Sequence, residues 1–291
     1  MKKLILIDGN NFGARFFFRG KKKGVVLPMT FCFFELLMGI FADYPDNDIV
    51  IVWDEQSKRR LLESRLAKQR RLIETGYKEL RKSMSDDDKA DMLASLESVK
   101  NGLLPLCRIL QVKVDGFEGD DLINSYHSKC PDREKVICST DRDYYRILDD
   151  KTTIDHRNEK GIYTLDKFRK EYCFEPSLYT DYGSIVGESG SGDNIPGVPK
   201  CGDKFAQKMV SEHGDVANIR KFLEQKIPLT LAERSFLDNQ EIIDLSFSLK
   251  KMDIVDVPEA DVHKRELAPL RQWMIEHGMM QHLKKAVILV S

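Results

Sequence analysis

The sequence predicts an α/β protein with a mostly parallel central sheet flanked by helices, and two observations carry that reading. Short apolar runs recur at residues 4–7 (LILI), 49–53 (IVIVW), 112–114 (VKV) and 136–138 (VIC), with longer stretches of helical periodicity between them. Strands buried on both faces of a parallel sheet read as continuous apolar runs rather than as alternating ones. Each run is also followed by acid: Asp8, then Asp54, then Glu118, Asp120 and Asp121 in DGFEGDD, then Asp141 and Asp143 in STDRD. Sites in open parallel sheets form at the carboxyl ends of strands, so acids from four distant segments are expected to converge on one edge.

Along the chain, the first strand ends at Asp8 and the second at Asp54. Residues 58–82 then carry ten basic residues against three acids, a net charge of +7. An acidic stretch follows at Asp86, Asp87, Asp88 and Asp91, and helical periodicity resumes through Leu93, Leu96 and Val99. Residues 58–102 thus read as a helical insertion in the core, with Arg60, Lys68 and Arg71 on one side of a helix. Near residue 180 the character changes to GESGSGDNIPGVPKCGDKFAQKMVSEHG, a Gly- and Pro-rich turn between two helical patterns. The rest is helical to about residue 250, and the apolar run at 286–290 is expected to return to the core. The expected organisation is an α/β core at 1–175 with its insertion, a helical module at 176–250 and a C-terminal segment at 251–291.

Composition narrows the function classes. With 291 residues, 42% hydrophobic and 32% charged, the chain is globular and long enough to bury a core without disulfides. Lysine plus arginine number 46 against 47 acids, so any electrostatic signal is local. The most apolar window, residues 25–41, is broken by Pro28, Thr30 and Glu35 and is too short to span a bilayer. The N-terminus has only a four-residue apolar run before Asp8, far short of a signal peptide, which predicts a cytoplasmic protein. Cysteines 32, 107, 130, 138, 173 and 201 show neither a CxxC pair nor a zinc spacing and are expected as reduced thiols. The six histidines form no HxxxH or acid-paired pattern and are assigned no catalytic role.

Nine acids stand out: Asp8, Asp54, Glu118, Asp120, Asp121, Asp141, Asp143, Glu188 and Asp193. Carboxylates that converge repel one another, and divalent metal is the simplest remedy. An all-oxygen donor set without histidine or cysteine suits Mg²⁺, with Mn²⁺ as a substitute, rather than zinc. Any one of these acids alone reads more readily as a helix cap or surface charge, but that is a poor account of acids after four successive strands. Two such ions about 4 Å apart activate water and stabilise the leaving oxygen of an in-line displacement. With the basic segment nearby, the pattern points to a metal-dependent nuclease or phosphatase.

LIDGNN, GFEGDD, STDRDYYRIL and above all GDNIPGVPKCGDKFA resemble the flap endonuclease / 5′-3′ exonuclease family, in order and over most of residues 1–250. The nearest likeness is to bacteriophage 5′ nucleases and to the 5′-nuclease domain of bacterial DNA polymerase I. The resemblance implies a PIN-like core, a helical arch at about 58–102 and a helix-hairpin-helix module. It implies a first metal site of Asp8, Asp54, Glu118 and Asp120 and a second drawn from Asp141, Asp143 and Asp193, with Asp121 between or near them. Lys68 and Arg71 match the arch residues that contact the scissile phosphate, and Arg60 a basic residue at the arch base. The hairpin, with Gly197, Lys200, Gly202 and Lys204, would offer amides to duplex phosphates and carbonyls to a cation such as K⁺, with Lys208 adding charge.

Four departures from the family pattern are visible. Glu188 stands where the family has aspartate, two residues further from GDN than usual. Arg142 sits between Asp141 and Asp143, where it either touches phosphate or points away. Ala67 replaces the aromatic residue before the arch lysine, and Lys200 replaces a hairpin glycine. Phe16, Phe17 and Phe18 with Arg15 and Arg19 read either as a stacking surface for unpaired bases or, more commonly for adjacent phenylalanines, as partly core.

The resemblance implies a Mg²⁺-dependent, structure-specific 5′ nuclease that cuts DNA, and RNA in primer hybrids, near junctions of single strand and duplex. It also implies a monomer at work in replication or repair, a bacteriophage source and hence host cytoplasm, and possible replication-protein partners. With the chain ending at Ser291, no polymerase domain is expected. Two rivals stay open: a PIN-like ribonuclease, and a non-catalytic protein that binds branched DNA.

Overall fold

Strands β1 (Leu4–Asp8), β2 (Asp48–Val52), β3 (Leu110–Val112), β4 (Lys135–Cys138), β5 (Thr152–Asp155) and β6 (Ile162–Tyr163) form one sheet in the order β3-β2-β1-β4-β5-β6. Every pairing is parallel except β5 with β6. The computed structural model describes residues 2–23, 28–79, 85–158, 160–188 and 193–291. Arg81, Lys82 and residues 189–192 of the glycine-rich loop lie outside the described residues, as does the side chain of Arg19.

Three of the apolar runs of the sequence are β1, β2 and β4, whose continuous hydrophobicity follows from burial on both faces, whereas β3, expected at residues 112–114, lies at Leu110–Val112, shares only Val112 with that run and is only partly buried. Leu4, Leu6, Val50 and Val52 point into one core cluster, while Ile5, Ile7, Ile49 and Ile51 point into the other. The second cluster is covered by α1 (Gly9–Lys23) and α2 (Met29–Asp43), with Phe12, Phe33, Phe34 and Leu37 fully inside. After α3 (Lys58–Gln69) and α4 (Asp86–Ser98), a π turn at Val99–Leu103 leads the chain back to β3. Ser57 and Ser85 cap α3 and α4, and Asp86, Asp87 and Asp88 in the first turn of α4 complement its dipole.

The first cluster lies beneath α5 (Gly119–Lys129) and α6 (Leu165–Tyr172) and runs on into a set of short helices: α7 (Tyr179–Val186), α8 (Asp203–His213), α9 (Val216–Glu224), α10 (Leu231–Asp238) and α11 (Gln240–Lys250). The last helix, α12 (Leu267–Glu276), and the tail belong to the second cluster, where Leu270, Met274, Ala286, Leu289 and Val290 are buried. The tail returns to the core, as a 3₁₀ turn at Ala286–Leu289. Among the described residues no helix is long and apolar enough to cross a membrane.

A further local expectation fails. Arg71 does not share a helix face with Arg60 and Lys68, because α3 ends at Gln69 and Arg71 adopts a left-handed φ of 60° beyond it.

Candidate active site

The strand order reverses at β1, whose neighbours are β2 and β4, and the carboxyl ends there open a crevice. Asp8 closes β1. Its Oδ1 accepts the Asn11 amide at 3.0 Å, and its Oδ2 accepts Ser139 Oγ and Tyr144 Oη, each at 3.1 Å. Asp54 follows β2, and its Oδ1 accepts the Gly119 amide at 2.6 Å. A Cβ at position 119 would stand 2.7 Å from that oxygen, so only glycine lets the start of α5 approach so closely. Asp141 caps the 3₁₀ turn Arg142–Ile147 by accepting the Asp143 amide at 2.9 Å.

Proximity is legible in the proton affinities. Desolvation, with Asp120 adding repulsion, raises the Asp8 carboxyl. Desolvation and then Asp8 push Asp54 up to about 7. Asp141 is raised well above the carboxylate range by desolvation, by Asp143 and by the more distant Asp8 and Asp120. Acids from the ends of β1, β2 and β4 and the start of α5 therefore share one electrostatic site.

Cations stand among them. Arg60, 2% exposed in its side chain, reaches Glu118 Oε2 at 2.8 Å, both oxygens of Asp120 at 3.1 and 2.8 Å, and Asp121 Oδ1 at 3.0 Å. The basic residue expected at the arch base is thus, in this structure, a buried counter-ion to the acids. Asp121, expected as a ligand, is fully buried beneath the cleft: its oxygens accept the amides of Asp253 (2.7 Å) and Glu118 (3.0 Å) as well as Arg60. Desolvation and Asp120 raise Asp121 to about 6. Lys78, which reads in the sequence as a solvated charge, sends Nζ to Glu118 Oε2 at 2.6 Å, and Tyr77 Oη joins the same oxygen at 3.1 Å.

At the second group of acids, burial pushes Asp143 up, but Arg146, Lys250 and Arg60 together hold it down at about 2. Arg146 lies 2.6 Å from Asp143 Oδ1 and Lys250 Nζ 3.7 Å from it, and Lys250 also pairs with Glu188. The Asp193 carbonyl accepts the Lys78 amide at 3.0 Å, which ties the loop to the base of the insertion. Lys250 carries no motif and no periodic signal, so nothing in the sequence marks it. Among the described residues no three His, Cys, Asp or Glu side chains close around a single point as a ready cation cage. The donor set is nevertheless all oxygen and crowded enough to raise its own proton affinity, which is what a hard divalent cation relieves.

Above the acids, much of the local +7 charge is already paired. Lys58 meets Asp115 at 2.5 Å, Arg59 meets Asp253 at 2.7 Å, and Lys68 meets Glu79 at 2.7 Å. Lys68 stays partly exposed at the end of α3, and Arg65, Arg70 and Arg71 are exposed. Arg142 is exposed too, while Phe16 packs against Phe33 in the core and Phe18 is the exposed member of its trio. Arg15 binds the carbonyls of His156 and Arg157, at 3.1 and 3.2 Å.

On the helical module, Gly197 passes so close to Val186 that a Cβ would lie 2.1 Å from its carbonyl oxygen, and Gly187, at φ 70°, makes the reciprocal approach. With the Glu188 amide on the Ile195 carbonyl and that of Val198 on Ile185, both at 2.8 Å, this pinches the neck of the loop. Lys200 takes the left-handed conformation that a glycine would, at φ 67°. Gly202 caps α8, and Lys200, Lys204 and Lys208 are exposed beside its first turns, where helix amides lack intrahelical partners. Ser235 Oγ, at 2.6 Å, braces the turn through the Pro199 carbonyl.

Comparison with known proteins agrees with this geometry. Residues 3–173 match the family model described as 5′-3′ exonuclease, N-terminal resolvase-like domain, and residues 174–271 match 5′-3′ exonuclease, C-terminal SAM fold. A protein named 5′-3′ exonuclease from Aquifex aeolicus is 26% identical over 98% of this chain and 95% of its own length. Among solved structures, bacteriophage T5 5′-exonuclease with bound zinc superposes with a TM-score of 0.71 at 17% identity, covering 100% of both chains. A T5 D15 flap endonuclease complex with DNA and metal ions gives 0.67 at 16% identity, covering 99% of each.

Proposed function

This chain belongs to the 5′-3′ exonuclease family, and from that premise we propose that it is a divalent-cation-dependent, structure-specific 5′ nuclease acting on DNA with a free 5′ end near the junction of single strand and duplex. The observation that carries the reading is the convergence of Asp8, Asp54, Asp120 and Asp141 at the sheet's switch point, within one electrostatic site. Its support includes the T5 relative whose structure holds DNA and metal ions.

Two Mg²⁺ ions, with Mn²⁺ as a substitute, would be held by Asp8, Asp54, Glu118 and Asp120 on one side and by Asp141, Asp143 and Asp193, with Glu188 beside them, on the other. When bound, such cations supply an activated water and charge neutralisation for the leaving oxygen. The chain's own residues do the rest. Gly119 and Ser139 with Tyr144 fix the orientations of Asp54 and Asp8. Lys68 and Arg71, at the end of α3 and just past it, would receive the scissile phosphate. Arg71 is exposed, and Lys68 would exchange Glu79 for it. Arg60 and Lys78 offset negative charge around Glu118 before substrate arrives.

The turn at 197–202 and the first turn of α8 would hold duplex phosphates without reading sequence, with Lys200 and Lys204 alongside. A monovalent cation such as K⁺ would use the second lone pairs of the Val198 and Pro199 carbonyls, each of which already accepts one hydrogen bond. RNA in primer hybrids is a second substrate on the same reading.

The test is a 5′-flap duplex labelled at the 3′ end of the flapped strand, incubated with protein in Mg²⁺ and in EDTA. A discrete product near the junction in Mg²⁺ alone is expected. Intact DNA alongside degraded single-stranded RNA would instead favour a PIN-like ribonuclease, and intact DNA and RNA in both Mg²⁺ and Mn²⁺ a non-catalytic junction binder.

A further inference from the structure

We infer that Arg142 holds the phosphate of the cleaved strand that lies one nucleotide to the duplex side of the scissile bond, between the acidic crevice and the hairpin. The inference rests on the nuclease reading above and adds a substrate contact to it.

The backbone at Arg142 is fixed from both sides. The Asp141 amide donates to Ser139 Oγ at 3.1 Å and its Oδ1 accepts the Asp143 amide at 2.9 Å, so Arg142 is the first residue of a capped 3₁₀ turn. Consecutive Cα atoms are about 3.8 Å apart, which puts Arg142 one such step from each of two acids of the crevice. The other cations beside these acids are engaged: Arg60 and Lys78 by Glu118, Arg146 and Lys250 by Asp143. Arg142 is exposed, and among the described residues it forms neither a hydrogen bond nor an ion pair. Its guanidinium is always charged and presents a planar fork of donors, which suits phosphate.

The guanidinium lies on the side of the helical module. The groups its charge feels most are Tyr172, Tyr145, Tyr179 and Glu171, rather than an acid of the crevice. Tyr145 packs on Tyr179 and Tyr179 stacks on Tyr182, with ring centres 5.7 Å apart at each step. Tyr182 Oη donates to Asp203 Oδ1 at 2.6 Å, and Asp203 is the first residue of α8. An aromatic bridge thus runs from the turn that carries Asp141 and Asp143 to the hairpin. A strand with its scissile phosphate in the crevice and its duplex on the hairpin must pass along that bridge. Glu171 and Asp203, both exposed, repel phosphate there, so the attraction falls to Arg142 at the crevice end. Lys68 and Arg71 belong to the insertion, and Lys200 and Lys204 to the hairpin. Arg142, one residue from the acids, serves the first phosphate between them.

The test is a double-mutant cycle between protein and DNA on the 5′-flap duplex in Mg²⁺, with kcat/KM read for each pair. One substrate carries a neutral methylphosphonate at the first internucleotide linkage on the duplex side of the mapped cut, and a control substrate carries it well inside the duplex. Wild type should lose about tenfold in kcat/KM on the first substrate, and Arg142→Gln should lose about as much on unmodified DNA. The glutamine variant should lose nothing more on the first substrate, because the contact is already gone, and both proteins should respond alike to the control. Arg142→Lys, which keeps the charge, should recover most of the rate. Arg142 has no partner to lose, so both variants should keep the native circular dichroism. Wild type indifferent to the first linkage, losses that multiply instead of merging, a glutamine variant as fast as wild type, or a lysine variant no faster than the glutamine one would each overturn the inference and leave the nuclease reading intact. Wild type that cuts no unmodified flap in Mg²⁺ or Mn²⁺ would overturn that reading, and the inference with it.

Discussion

Asp120 and Asp121 are neighbours in the sequence with opposite fates, because successive residues on a helix point about 100° apart. Asp120 turns both oxygens to Arg60 in the cleft, whereas Asp121, which shares Arg60, turns beneath it, fully buried, with its oxygens also taken by the amides of Glu118 and Asp253. Asp54 differs from both: among the described residues only one of its oxygens has a hydrogen-bond donor, the Gly119 amide at Oδ1. Asp54→Asn should therefore lower flap cleavage by roughly two to three orders of magnitude. Affinity for uncut flap duplex, read by fluorescence anisotropy in Ca²⁺, should stay nearly unchanged; a fully active Asp54→Asn would remove this residue from the site. Lys200 gives a second test. Its left-handed backbone costs roughly 1 kcal/mol, so Lys200→Gly should leave thermal stability level or slightly higher. The same change should weaken duplex binding and reduce the salt slope by about one unit; an unchanged slope would mean Lys200 makes no phosphate contact. The acids were legible because strand-end acid is a local pattern. Their cationic neighbours were not, since Lys250 reaches Asp143 across more than a hundred residues and Lys78 looks like any solvated lysine.

At the level of elements, legibility followed burial. β1, β2 and β4 lie in the middle of the sheet and are apolar almost throughout, so their sequences announce them. β5, TTID, has one large apolar side chain, and β6 is a two-residue antiparallel edge, so neither produces a run that stands out. The insertion was legible as charge but not as charge in use: Lys58, Arg59, Arg60, Lys68 and Lys78 are all held by acids. The loop between α7 and α8 shows why its glycines are needed. Gly187 and Gly197 touch backbone to backbone, and the contact sets where the hairpin leaves α7. Gly197→Ala must push the strands of that neck apart, because the obstructing atom is a carbonyl oxygen rather than a flexible side chain. The expected result is a Tm several degrees lower and duplex affinity reduced by about tenfold or more, with the Val198 to Ile185 hydrogen bond lost. Binding and melting curves equal to wild type would show that the neck opens without cost.

Over the whole molecule, the two faces of the sheet divide the labour. One face continues into the helical module that would hold duplex. The other is closed by α1, α2, α12 and the tail, and it supports the site from behind, since Ile7 precedes Asp8 and Trp53 precedes Asp54. Trp53 is itself fixed by Gln111 at 3.1 Å and by the close approach of Gly9, where a Cβ would come within 2.5 Å of the indole. The tail is held by backbone as well as by burial: the Leu289 carbonyl accepts the Arg108 amide at 2.6 Å and the Val290 carbonyl accepts that of Arg265 at 2.9 Å. Leu289 is fully buried, so Leu289→Ala should cost about 2–5 kcal/mol through lost transfer energy and the cavity left behind. For a chain of this size that is a fall in Tm of several degrees, measurable by calorimetry. Because Leu289 lies behind the sheet rather than in the crevice, cleavage per folded molecule at low temperature should stay within about twofold of wild type. A large loss of cleavage without a change in Tm would place the tail in the catalytic machinery, and a wild-type Tm would mean that the last turn is not docked in solution.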